Sequence, residues 1–186
     1  MKNVFISCGY SLVGLGAIGW IGILLLVMLL VDPGDSAITN FFANHIIVPA
    51  KLENWGATFS DIVVELFFLI FQMNLILLTI TSLVALGWSA GSHYLNIDAP
   101  GKAKIYFIHW VIFTAIFVFI VLCIVFFFTE STTFESAQFI GGKGKTIIYS
   151  LSLIYYFLMY YVGVILGTAR FARSSVLLAN KLPGNL

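Results

Sequence analysis

Residues Ile105–Thr129 read IYFIHWVIFTAIFVFIVLCIVFFFT, 25 positions in a row without Asp, Glu, Lys or Arg. A helix needs about 20 apolar residues to cross the hydrocarbon layer of a bilayer, and only a helix or a closed barrel satisfies its own backbone there. The stretch therefore predicts a transmembrane helix. Upstream, Asp98-Ala99-Pro100-Gly101 is a turn sequence that separates it from a second apolar run, Ile62–Ala90. A third run, Phe5–Val31, stops at Asp32-Pro33-Gly34, where a helix cannot continue. The last covers Thr146–Ala169. The expected fold class is an all-α integral membrane protein, a four-transmembrane-helix bundle in one membrane domain over residues 1–186, with an external loop at 32–61 and a tail at 170–186.

Composition agrees. Of 186 residues, 61% are hydrophobic and 9% charged, with a mean hydropathy of +1.06, well outside the usual shares of a soluble domain. The stretches between the apolar runs are too short to bury a core of their own. Net charge is only +1, and the Lys and Arg residues cluster at segment ends, so no basic face for nucleic acid exists. Cys8 and Cys123 form no CxxC pair and read as small core residues. The apolar run from Val4 to Val31 far exceeds the roughly 7–15 residues of a secretory signal core, so the first span is expected to be retained.

Orientation follows from the basic residues, which are kept on the cytoplasmic side. Lys2, Lys102, Lys104, Arg170, Arg173 and Lys181 fall on one side of the four spans; Lys51, Lys143 and Lys145 fall on the other. That balance of six against three predicts an N-in/C-in topology, as in a bacterial inner membrane. In the external loop, Ile38, Phe41, Phe42, Ile46 and Val48 recur at helical spacing before Pro49, which predicts a short amphipathic interfacial helix, with Trp55 at headgroup depth. In the tail, Phe171, Leu177 and Leu178 interleave with Arg170, Arg173 and Lys181, the pattern of a segment lying on the cytoplasmic surface or on a partner.

Polar residues inside spans carry the functional candidates, because each is costly in lipid and must face protein or water. Asp61, Glu65, Gln72 and Thr79 follow steps of four and seven along the second span, with Ser60 or Asp61 placed to cap it. The stripe is a candidate proton or cation path; the plainer alternative is that it hydrogen-bonds to a neighbouring helix, and Asn74, Thr81 and Ser82 continue the polarity without forming one clean path. His93 and His109 end the second span and begin the third on the same predicted side, where they fit either haem ligation or an ordinary interfacial aromatic belt beside Tyr94 and Trp110. His45 reads as a polar-face residue of the external loop. Tyr149, Tyr156, Tyr160 and Gly163 form a stripe whose default is packing and whose alternative is a quinone-like ligand. Gly141-Gly142-Lys143-Gly144-Lys145-Thr146 ends like a phosphate-binding loop, but the required first glycine falls on Phe139 and a membrane span follows, so the segment reads as a flexible outer turn.

Small residues let helices approach closely in lipid. Gly16, Gly19 and Gly22 recur every three residues in the first span, Gly87 and Gly91 form a GxxxG in the second, and Gly163 and Gly167 another in the fourth. All seven are expected at helix-packing or partner contacts. No nucleophile, base and orienting group assemble in the sequence, and no metal or cofactor signature is present. The expected function is that of a non-catalytic integral membrane subunit of a larger hetero-oligomeric complex, such as a secretion, conjugation or respiratory machine. Two alternatives remain open at this level: a homo-oligomeric ion channel or cation-coupled carrier using Glu65, and a haem- or quinone-binding electron carrier.

Overall fold

A computed structural model describes residues 2–31, 40–41, 44–48, 59–91, 102–131 and 134–168. Four long helices dominate: α1 (Lys2–Val31), α2 (Phe59–Gly91), α3 (Lys102–Glu130) and α4 (Gly142–Thr168). A 3-10 turn, Glu135–Phe139, precedes α4. Among the described residues there is no β-strand, only an isolated antiparallel bridge between Ile47 and Ile140. Each helix contains a stretch long and apolar enough to cross a membrane: Val4–Leu24, Ile62–Gly91, Ile108–Glu130 and Gly142–Thr168. The chain is an all-helical, multi-pass integral membrane protein.

Helix starts lie three or four residues ahead of the apolar runs, since polar residues at a bilayer surface extend a helix without entering hydrocarbon. The largest extension is in α4, which begins at Gly142: the Lys145 amide donates to Gly141 carbonyl at 2.9 Å and the Thr146 hydroxyl to Gly142 carbonyl at 3.1 Å. The expected outer turn is thus the first turn of a helix. Helix α2 starts at Phe59, which puts Ser60 and Asp61 inside its first turn rather than ahead of it.

Contacts divide the chain into two units. The first comprises Met1–Gly19, Leu78–Ile120 and Tyr155–Leu186. Here α1 lies against α4 where glycine leaves room: an added β-carbon at Gly163 would sit 2.9 Å from Leu15 Cγ and 3.4 Å from Ala85 Cβ. The Ser7 hydroxyl donates to the Gly167 carbonyl and, at 3.4 Å, to the Ser89 carbonyl, tying α1 to α4 and α2. Tyr160 is fully buried, stacked on Phe117 at 4.7 Å between ring centroids, and its hydroxyl meets that of Thr114 at 3.1 Å. A phenol so deep in an apolar core needs that partner. The Tyr155 hydroxyl donates to Ile18 carbonyl at 2.9 Å.

The second unit comprises Trp20–Leu77 and Val121–Ile154. Its core holds Ile62, Leu66, Phe67 and Met73 of α2 with Val121, Val125 and Phe128 of α3. Phe128 stacks on Phe134 at 4.9 Å, which turns the chain back over the end of α3. Lys145 and Glu130 form an ion pair at 2.6 Å. Two connecting segments then join: the Val48 amide donates to Phe139 carbonyl at 3.0 Å and the Gly141 amide to Ile46 carbonyl at 2.9 Å. Gly144 must be glycine for this to happen, because a β-carbon would lie 2.6 Å from the Ile46 carbonyl oxygen. Of the expected interfacial helix, residues 40–41 and 44–45 are helical, but Ile46 turns and Ile47 pairs with Ile140, both buried; Ile38, Phe42, Pro49 and Trp55 lie outside the described residues. The tail beyond Thr168, with Arg170, Phe171, Arg173, Leu177, Leu178 and Lys181, lies outside them too.

The cysteines are not core residues. Cys123 is exposed on α3 and Cys8 is half-buried on α1. Helix α3 is apolar on every side, so its sequence carries no mark of which face turns inward.

Candidate functional site

Helix α2 has two unlike faces. Ile62, Val63, Leu66, Leu69, Met73, Leu77, Ala85 and Trp88 are buried. On the opposite side Val64, Phe68, Leu75, Ile76 and Leu83 are exposed, from 42% to 65%. Glu65 and Thr79 are exposed on that same side and Gln72 is half-buried there. The polar stripe thus lies among apolar side chains on the outward face of the helix. The side chain of Asp61, first member of the stripe, lies outside the described residues.

Two members of the stripe are unpaired. Among the described residues, neither Glu65 nor Gln72 has a hydrogen-bond or ion-pair partner. Glu65 is three residues from the start of the span at Ile62, about 4.5 Å along the axis, so its carboxylate can reach the interface. Gln72 is ten residues in, about 15 Å along a 30-residue span, and so falls within a hydrocarbon layer roughly 30 Å thick. Moving an amide from water to alkane without a partner costs roughly 4–8 kcal/mol. Asn74, nearby, avoids that cost locally by donating to Ile70 carbonyl at 2.7 Å. Among the described residues Gln72 has no such solution, so its amide needs a group from outside them.

The glycines fall into two sets. Gly19 packs 3.3 Å from Leu78 Cδ1 (measured from an added β-carbon), and Gly163 and Gly167 have no room for a side chain at all; Gly14, not singled out by its spacing, is as tight, 2.7 Å from Leu166 Cδ1. In contrast, nothing lies within 4 Å of Gly16, Gly87 or Gly91 on that measure, and Gly87 and Gly91 are exposed. Gly22 is half-buried. The GxxxG of α4 is therefore consumed by packing inside the chain, and that of α2 is open.

The other candidates disperse. His109 is exposed on α3 and His93 lies outside the described residues. His45 is exposed with its ring against Phe41 at 4.9 Å. Tyr156, Tyr160 and Gly163 are buried within the chain and the Tyr149 hydroxyl lies 3.3 Å from that of Thr129, so the tyrosine stripe is packing. Among the described residues no three of His, Cys, Asp and Glu come together to hold a metal ion. Four side chains in the first unit, Ser11, Thr81, Trp88 and Tyr161, also have a buried polar atom without a partner.

No protein-family model, no curated protein and no solved structure matches this chain.

Proposed function

We propose that the chain is a non-catalytic integral membrane subunit of a larger membrane assembly, of the secretion, conjugation or respiratory kind, held N-in/C-in in a bacterial inner membrane with residues 38–45 at the outer surface. The observation that carries this reading is the outward α2 face, where an unpaired amide inside the span needs a partner that the described residues do not supply. The open Gly87 and Gly91 on the same helix allow close approach of a second backbone. Extraction of native membranes in a mild detergent, followed by native mass determination of what co-migrates, tests the reading. A complex containing other membrane proteins is the expected result; a chain that migrates at 20.6 kDa plus detergent sinks it.

A second reading rests on the same face. Because Glu65 and Gln72 point out of the chain, any conducting path that they line must run between copies, as in a homo-oligomeric cation channel or carrier. Purified protein in liposomes then carries a cation flux that Glu65→Gln abolishes without changing the oligomer. A silent wild type ends this reading.

A further inference from the structure

The exposed positions of α2 have a spacing that the polar stripe alone does not reveal. Glu65, Phe68, Gln72, Leu75 and Thr79 are separated by three, four, three and four residues, and each is exposed or half-buried. That is the seam of a left-handed helix pair, with Glu65, Gln72 and Thr79 at one core position and Phe68 and Leu75 at the other. Exposed or half-buried positions with the same spacing also run along α1 (Tyr10, Val13, Ala17, Trp20 and Leu24) and α3 (Ile112, Ala115, Phe119, Leu122 and Phe126), but neither of these rows carries an amide or a carboxylate.

We infer that this seam pairs with the same seam of a second copy of the chain. Copies with one orientation in the membrane have parallel α2 helices, and a twofold axis along the membrane normal then sets each seam residue against its own equivalent. Only some polar groups tolerate that. A glutamine amide both donates and accepts, so Gln72 meets Gln72 with reciprocal N–H to C=O hydrogen bonds, and an amide without a partner among the described residues is satisfied by its own twin. Glu65 meets its equivalent near the interface, where water solvates both carboxylates. Phe68 and Leu75, 59% and 54% exposed, supply the apolar packing on either side of the amide pair. A polar residue at one core position of such a seam fixes register and oligomer state, which is the role assigned to Gln72. The inference goes beyond the subunit reading and shares with it only the premise that the α2 face is a protein contact.

The test is a cysteine scan in the full chain in native membranes. Cys8 and Cys123 are first changed to Ala, and single cysteines are then placed from Val64 to Ile76 and oxidised. A product at twice the 20.6 kDa chain mass is expected to peak at positions 68 and 75, on either side of Gln72, and to vanish at the buried positions 66, 69 and 73. Adding Gln72→Leu, which fills the same space without the amide, should weaken association by about 5- to 30-fold, the loss expected of an interhelical hydrogen bond in a bilayer. Gln72→Asn, with donor and acceptor intact, should retain part of it. No self-linked product at the seam, or equal yields around the helix, overturns the inference. Seam cysteines linked to a protein of another mass also overturn it, while leaving the subunit reading standing; self-linked pairs in a membrane that yields no larger complex do the reverse.

Discussion

A β-carbon added at Gly167 would lie 2.8 Å from Ser89 Cβ and 3.1 Å from Ser11 Cβ, while one added at Gly87 would meet nothing within 4 Å. The same substitution should therefore have opposite consequences at two positions that share one motif. Gly167→Ala forces the α1, α2 and α4 backbones apart around the Ser7 hydrogen bonds and should destabilise the isolated chain by about 1–3 kcal/mol. Gly87→Ala should leave it at or above wild-type stability, because alanine is the better helix former by about 1 kcal/mol. Unfolding midpoints in mild detergent compare the two; equal losses at both sites would show that α2 is covered where it stands open here. The spacing of four residues is visible in the sequence for both pairs. Which pair is filled depends on Ser11, Leu15, Ala85 and Ser89 arriving from other helices, and no local pattern encodes that arrival.

At the level of elements, a polar bond between helices can sit beside the apolar contact that positions it. Tyr160 illustrates this: stacking on Phe117 aims its hydroxyl at Thr114, so α3 and α4 are joined by a hydrogen bond inside a packed layer. A double-mutant cycle of Tyr160→Phe and Thr114→Val should give a coupling of about 0.6 kcal/mol, with about 1.7 kcal/mol as an upper bound from bonds of this kind in bilayers. Strictly additive losses would mean that the two hydroxyls find other partners. The four spans were legible in the sequence because length and hydropathy alone decide them. The start of α4 was not, since Gly141–Thr146 has the composition of a loop and becomes helical only where Ile46 closes over Gly144. Glu65, Gln72 and Thr79 were legible as one stripe of α2. Their outward direction was not, for a helix rich in apolar residues on both sides gives no sign of which side its neighbours will take.

For the molecule as a whole, orientation in the membrane governs where every proposed contact can form. Six basic residues, Lys2, Lys102, Lys104, Arg170, Arg173 and Lys181, would lie inside and three, Lys51, Lys143 and Lys145, outside. The bias is modest, and Lys143 and Lys145 weigh against it by sitting together at the start of α4. Retention of basic residues acts on the chain as it inserts, so the first span and its flank usually dominate, and Lys2 faces only Asp32 and Asp35 across α1. With four spans, the proposed orientation puts both ends on the cytoplasmic side. Single cysteines in a background free of Cys8 and Cys123 read this directly. Lys143→Cys, exposed at the head of α4, should react with a membrane-impermeant maleimide applied to intact spheroplasts, whereas Lys2→Cys and Arg173→Cys should react only after the membrane is opened. The reverse pattern would invert the topology and move Glu65 to the cytoplasmic leaflet, yet leave Gln72 within the hydrocarbon layer, so the two-copy seam and the orientation stand or fall on separate measurements.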